Sequence, residues 1–496
     1  MTDSLRRLAQ QPTTGLLIAV LLGAWVLRLV TLDAYPLVDT TEGRYAEIAR
    51  EMREQGEWVM PIFDLGEPFM GKPPLWFWAT SLSQHFLGNT GFASRFASFL
   101  FCLSSVILTM AVAKRLYGAR SALMSGIILS TCGLLYFMSG GVLLDPALLA
   151  TLTLSMAGGV VLIHAQSDSD RNFGTYLCFA GMGLAVLSKG LVGLVLPVAA
   201  CGVWVLWNWR FDLLPRLPFV KGIFLFAAIA VPWHLWAEAR VDGFLHYYII
   251  GEHFSRYLDR GWEGDMYGNP HAEPKGMIWI FALVAALPWS LLLPLLLWKR
   301  RAIAMRLTSS PEQRFLLCWM LTPLVFFSLS DNIIITYCVP ILPPFAILMD
   351  RWLNAAMKAI QSTDLPEPWF LRPGLPVAVA ATVIIVLNLI SLAVAPFFAN
   401  RRSQQELVEQ FEERRRSPTA ELIYVDKMPH SGDFYAEGVA RLIDDSATVG
   451  VELNDGQEDF FAVDDDRMDR FEQWKNDPRI QEIGHYANTY LYREIN

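Results

Sequence analysis

Residues 14–32 read TGLLIAVLLGAWVLRLVTL, and shortly after them the chain runs Val38-Asp39-Thr40-Thr41-Glu42-Gly43-Arg44-Tyr45. The first stretch is apolar over about the 20 residues that a helix needs to cross a bilayer. Arg6 and Arg7 precede it and no small-residue cleavage site stands out, so it reads as a retained span rather than a cleaved leader. Working outward, further spans are predicted at 93–113, 119–138, 145–165, 174–188, 190–208, 220–237, 278–298, 314–330, 334–350 and 374–396. The composition agrees. The 496 residues are 53% hydrophobic and only 18% charged, against about 25% charged in an average soluble domain. Mean hydropathy is +0.34, and 17 Trp and 30 Phe suit interfacial anchoring.

The basic residues of the short loops give an orientation. Arg6/Arg7, Lys114/Arg115/Arg120, Arg171, Arg210/Arg216/Lys221, Lys299/Arg300/Arg301/Arg306 and Arg351/Lys358 occupy alternate loops, all on one side if the N-terminus is cytoplasmic. An odd number of spans then places residues 397–496 outside, together with two long loops at 33–92 and 238–277. The chain therefore divides into a membrane domain, 1–396, and an extracytoplasmic tail, 397–496. The tail holds 22 acidic and 12 basic side chains against a whole-chain charge of −8, which argues against a nucleic-acid partner. The six cysteines all sit in apolar runs without CxxC spacing, so neither a zinc site nor a redox pair is indicated. The segment 362–373 is proline-rich and reads as an irregular connector.

In the tail, helices are predicted at Glu406–Arg416, Phe434–Ile443 and Asp466–Asn476. Strands are predicted at Glu421–Val425, Thr448–Glu452 and Tyr486–Arg493. Together they describe a small α/β domain.

The first outer loop carries the most chemistry. Tyr45, Ile48, Ala49 and Met52 recur at helical spacing opposite Glu47, Arg50, Glu51 and Arg53, the pattern of an amphipathic helix at the membrane interface. Asp39 reads either as the cap of that helix, with Glu42 completing a capping box, or as a carboxylate at the mouth of a cavity, able to take a proton from an acceptor hydroxyl. In Gly71-Lys72-Pro73-Pro74, the prolines present a lysine from a rigid turn. Its partner is a phosphate, or it snorkels to lipid headgroups.

Other charges stand at the outer ends of spans. Asp145 before Pro146 is a good helix start and also an ionisable group near the membrane interior. Lys189 ends a span in a short turn. Gly251-Glu252-His253-Phe254-Ser255-Arg256-Tyr257 concentrates polar groups within about one helical turn. Arg256 suits a second phosphate contact, while Glu252, His253 and His271 are weak candidates for a divalent metal. Tyr337 is an aromatic-belt tyrosine or a phenol that bonds phosphate.

Taken in order, Asp39–Glu47, Gly71–Trp78, Leu144–Ala147, Leu184–Pro197, Glu252–Tyr257, Leu287–Trp289 and Tyr337–Pro344 resemble the GT-C superfamily of membrane glycosyltransferases. The branch most similar in pattern comprises the lipid A aminoarabinose transferases and related bacterial protein O-mannosyltransferase-like enzymes. Where that pattern often has Lys-Leu-Pro before the tyrosine, this chain has Asp331-Asn332-Ile333-Ile334-Ile335.

The resemblance implies a polytopic α-helical membrane protein, GT-C-like with about 11–13 transmembrane helices, in a bacterial inner membrane, with a small C-terminal extracytoplasmic α/β domain in the periplasm. It implies an inverting transfer of sugar from a polyprenyl-phosphate donor to a lipid A, glycan or protein acceptor, with no required cofactor. It assigns Asp39 as the catalytic carboxylate and Lys72, Arg256 and Tyr337 as ligands of the donor phosphate. Asp145 is then a cavity residue, and Glu42, Arg44, Tyr45, Lys189 and His253 belong to the substrate site. A transporter or flippase of a lipid-linked molecule would share the spans, but it tends to show internal repeats, and none is visible.

Overall fold

The structure, a computed structural model, describes residues 12–63, 66–268, 271–294, 310–361, 375–454 and 456–495. Arg6/Arg7, the basic loop at 299–306 and the connector at 362–373 lie outside the described residues. The chain forms two compact units. One comprises 1–29, 68–76 and 97–387; the other comprises 30–67, 77–96 and 388–496.

The first unit is helical. Gly91–Tyr117, Asp145–Ile163, Phe219–Arg240 and the run Ala378–Arg402 are the helices among the described residues long and apolar enough to cross a membrane, and Thr14–Val30, Ala119–Ser130 and Val192–Asn208 are shorter apolar helices. Each predicted span holds helix over its described part, but several are interrupted. The 119–138 stretch breaks at Cys132 into Ala119–Ser130 and Gly133–Met138. The 334–350 stretch opens as a 3-10 turn, Ile335–Ile341, before the helix Leu342–Gln361. The last widens to a π-turn at Ile390–Val394. Proline causes the second of these, because Pro340, Pro343 and Pro344 supply no backbone N–H to a regular helix. The helices pack through one apolar core that includes Leu149, Trp289, Leu316 and Ile347.

In the second unit, the helix Thr41–Glu54 forms as its periodicity predicts and buries Tyr45, Ile48, Ala49 and Met52. Its opposite face departs from the interfacial reading. Glu47 and Arg50 are buried too, and the Arg50 guanidinium donates to the Glu437 carbonyl at 3.3 Å. This helix is covered by tail residues rather than lying with a solvated polar side.

The tail sheet has five strands in the order β4-β3-β5-β7-β6, where β3 is Glu421–Val425, β4 Ala440–Ile443, β5 Asp459–Asp464, β6 Ile480–Tyr486 and β7 Thr489–Glu494; β1, Ile62–Phe63, pairs with β2, Glu67–Pro68, in the first loop. β3 runs parallel to β4 and β5, while β7 is antiparallel to β5 and β6. Alternation divides the residues between two cores. Leu422, Tyr424, Phe460, Ala462 and Leu491 meet the helix Gln405–Arg414 through Leu407 and Phe411. Ile423, Val425, Phe461, Val463 and Tyr492 meet Val449, Leu453 and Phe471.

Two tail expectations fail. Thr448–Glu452 is a helical turn, because Val449 and Leu453, one turn apart, both enter the core while Val451 stays exposed. Phe434–Ile443 divides into the end of the helix His430–Tyr435 and strand β4.

Candidate functional site

Asp39 lies in the second unit, just before the helix Thr41–Glu54. That helix is capped at Thr40 without a side-chain bond, so Asp39 is not its cap. Its carboxylate accepts instead from Ser431, from the backbone N–H at 2.9 Å and from the hydroxyl on the other oxygen. Its own N–H donates to the Arg402 carbonyl at 2.9 Å. Burial raises the Asp39 carboxyl to about 6, against the opposing pull of the Ser431 donors.

Gly43 makes this approach possible. A Cβ there would stand 2.8 Å from Asp39 Oδ1 and 2.8 Å from the Ser431 nitrogen. Ser431 escaped the sequence reading because nothing in Pro429-His430-Ser431-Gly432 marks a partner 392 residues away.

Glu42 has a different task. It accepts from Arg95 Nε at 3.1 Å and Nη2 at 2.7 Å, and from the Val38 N–H at 3.2 Å. Arg95 also donates to the carbonyls of Leu32, Tyr35 and Pro36 and is fully buried. The pair therefore ties the first outer loop to the helix Gly91–Tyr117. The signal for Arg95 was present: a lone arginine entering an apolar run. Arg44 lies over the Tyr45 ring at 5.0 Å and lines a cavity with Glu47, Glu51, His430 and Asp433. Tyr45 itself is buried edge-on to Phe77.

The first unit gathers most of the other predicted residues. Residues His246–Ser255 form a π-helix rather than an α-turn, and its wider turn brings residues five apart together. Tyr247 thus donates to Glu252 at 3.2 Å, and the His253 ring meets the Tyr248 carbonyl at 2.7 Å. Glu252 is the hub. Lys72 Nζ reaches its Oε2 at 2.6 Å and Arg256 Nη1 reaches the same oxygen at 3.0 Å. Asp265, which the sequence reading missed, lies 3.2 Å from Arg256 Nη1. Burial raises Glu252, but Lys72 and Arg256 outweigh it and hold the carboxyl below its usual range.

The turn that presents Lys72 is fixed by Tyr267, whose hydroxyl donates to the Pro68 carbonyl at 3.0 Å and accepts from the Met70 N–H at 2.9 Å. Asn332, in the segment that departs from the superfamily pattern, donates to the carbonyls of Arg256 and Asp259 at 2.7 and 2.8 Å and so holds the Arg256 turn.

A second group adjoins it in the same unit. Asp145 opens the helix Asp145–Ile163 without capping it and pairs with Lys189. The Lys189 ammonium stands 4.8 Å from the centre of the Tyr337 ring. Next to Lys189, Gly190 has φ +77°, and a Cβ there would strike His253 Nε2 at 2.0 Å.

His253 is a joint between these elements. Its Nε2 accepts from the Leu191 N–H at 3.0 Å while its Nδ1 donates to Tyr248. Both ring nitrogens are thereby occupied, and burial holds the ring neutral. No lone pair remains for a metal, Glu252 is spent on two cations, and His271 is exposed, so these three do not form a ligand set. Among the described residues, the carboxylates that do converge are Glu47, Glu51 and Asp433, in the second unit.

Comparison with known proteins adds the following. Residues 13–248 match the family described as dolichyl-phosphate-mannose-protein mannosyltransferase. The chain is 30% identical over 352 residues to the undecaprenyl phosphate-alpha-4-amino-4-deoxy-L-arabinose arabinosyl transferase of Pectobacterium atrosepticum, covering 68% of this chain and 58% of that protein. It is 30% identical over 394 residues to the protein of the same name from Erwinia tasmaniensis, covering 77% and 66%. The chain thus spans less than two thirds of the length of these curated relatives. The crystal structure of ArnT from Cupriavidus metallidurans bound to undecaprenyl phosphate superposes with a TM-score of 0.80 at 22% identity, over 97% of this chain and 98% of that one. At that identity the likeness is one of fold.

Proposed function

We propose that this chain, which resembles the aminoarabinose-transferase branch of the GT-C superfamily of membrane glycosyltransferases, transfers a sugar from a polyprenyl-phosphate donor to a lipid A, glycan or protein acceptor. The reaction takes place on the outer face of the bacterial inner membrane, with the N-terminus cytoplasmic and the 397–496 domain periplasmic. The observation that carries the reading is the meeting of Lys72 and Arg256, from distant parts of the sequence, at one point of the first unit. Two cations on rigid supports suit a phosphate that must be gripped while it leaves.

In this mechanism the acceptor oxygen attacks the anomeric carbon from the face opposite the phosphate, and the bond from that carbon to the phosphate oxygen breaks. The bonding pair leaves on the phosphate, the configuration inverts, and the acceptor proton passes to Asp39. Lys72 and Arg256 stabilise the charge that grows on the departing oxygen, and Tyr337 is a third contact. A carboxylate raised to about 6 is well matched to taking a proton near neutral pH. Its two bonds from Ser431 leave further lone-pair positions for the acceptor. Asp145 and Lys189 line the donor cavity. The sugar is already activated by its phosphate, so no nucleotide is needed.

The test is transfer by purified Asp39→Asn. This variant should insert and bind the carrier but lose activity by about 10²–10⁴-fold; normal turnover rejects the assignment. Mass spectrometry of lipids and glycans from a deletion strain identifies the sugar and its attachment point.

A further inference from the structure

The donor and the product of this chemistry differ in charge. A polyprenyl-phosphate sugar is a phosphodiester with one negative charge. Once the sugar has moved, the carrier is a phosphate monoester whose second ionisation falls near pH 6, so it carries between one and two charges at neutral pH. A site built of cations alone would therefore hold its product more tightly than its substrate, and each turnover would end with the lipid trapped.

The first unit contains a counterweight. Glu252, with 4% of its side chain exposed, accepts from both Lys72 and Arg256, and Asp265, equally buried, stands 3.2 Å from Arg256 Nη1. Two buried carboxylates thus face two cations. Such an arrangement is costly to desolvate, and a phosphate clamp needs neither carboxylate for its grip. The carboxylates are also individually held: Glu252 takes the Tyr247 hydroxyl at 3.2 Å, and Asp265 takes the Tyr267 N–H at 3.1 Å.

We propose that Glu252, assisted by Asp265, is a release residue: its charge opposes the second charge of the product phosphate and speeds departure of the spent polyprenyl phosphate. This deepens the reading that Lys72 and Arg256 hold the donor phosphate and rests on it. Glu252 acts through the cations and on the phosphate's field, so it is a positioning and charge-setting residue rather than a catalytic one.

The experiment measures binding of undecaprenyl monophosphate to the purified full-length protein in detergent, beside steady-state transfer. Glu252→Gln keeps the size and the hydrogen-bond acceptor but removes the charge. It is expected to bind the monophosphate about tenfold more tightly, to lower kcat and to lower KM for the donor. Asp265→Asn should move the same way by a smaller factor, and it serves if Glu252→Gln does not fold. A carboxylate that merely braced the loop would weaken binding when neutralised, so affinity unchanged or reduced in both variants overturns the proposal. Lys72→Ala and Arg256→Ala are run alongside. If both bind the monophosphate as well as the parent does, the phosphate-site reading falls and takes this inference with it. If they weaken binding while Glu252→Gln fails to tighten it, the release role alone is rejected.

Discussion

Two arginines in this molecule face carboxylates, and they are used in opposite ways. In the second unit, Arg95 is fully buried and all five of its N–H groups are spent: two on Glu42 and three on the carbonyls of Leu32, Tyr35 and Pro36. In the first unit, Arg256 meets Glu252 and Asp265 through a single nitrogen, Nη1. Its buried Nε has no hydrogen-bond partner among the described residues, and 21% of its side chain is exposed. A saturated guanidinium has nothing left for a ligand, so it holds the fold. One with spare donors and an open side is equipped to accept a ligand. The teaching is that burial and ion pairing do not separate a brace from a binding group, whereas an inventory of donors does.

The sharpest way to break the comparison is Arg95→Ala. It strands Glu42 and three carbonyls, and removing one partner of a buried pair costs about 3–5 kcal/mol. Thermal unfolding in detergent should show a large drop in melting temperature; a variant that melts like the parent but fails to transfer sugar would make Arg95 a functional residue and erase the contrast.

Arg256→Ala should shift the balance toward activity. Its melting temperature should fall less than that of Arg95→Ala, because Lys72 still pairs with Glu252, while transfer falls by about 10²–10³-fold, the usual loss for a donor that stabilises a leaving oxyanion. Loss of stability on the scale of Arg95→Ala would place Arg256 among the braces.

Ser431→Ala is the smallest change and sharpens the comparison by asking what a polar neighbour does for a carboxylate. A protonated Asp39 takes no proton, so the rate should fall as pH drops through about 6. The Ser431 donors favour the ionised form. Their partial loss should shift the acid limb of the pH–rate profile to higher pH and cut the rate at pH 6 more than at pH 8. An acid limb that stays in place removes Ser431 from the site.

Much of this was legible in the residues, and the misses share a cause. Apolar runs gave the spans, because hydrophobicity over about 20 residues is a local property. Lys72 stood out as a charge among prolines and aromatics, and Glu252 and Arg256 as polar groups gathered within about one helical turn. Asp39 and Asp145 were harder. Both sit where helices begin, and local rules favour capping there, yet each sends its carboxylate to a partner far along the chain, Ser431 and Lys189. Sequence spacing describes what neighbours in the chain can do and is silent on contacts that folding creates. The same limit hid strand β5. Asp459–Asp464 is buried along its whole length, so the alternation that marks a half-exposed strand is missing from it.

The Ser431–Asp39 contact joins points 392 residues apart, and this has a consequence for biogenesis. A ribosome releases Asp39 long before it reaches Ser431, so throughout synthesis the aspartate lacks the neighbour that tunes its acidity. Its mature environment is assembled last, when the final stretch of polypeptide folds. Premature termination between positions 403 and 430 would leave the apolar helices through Arg402 synthesised and Asp39 without the Ser431 donors.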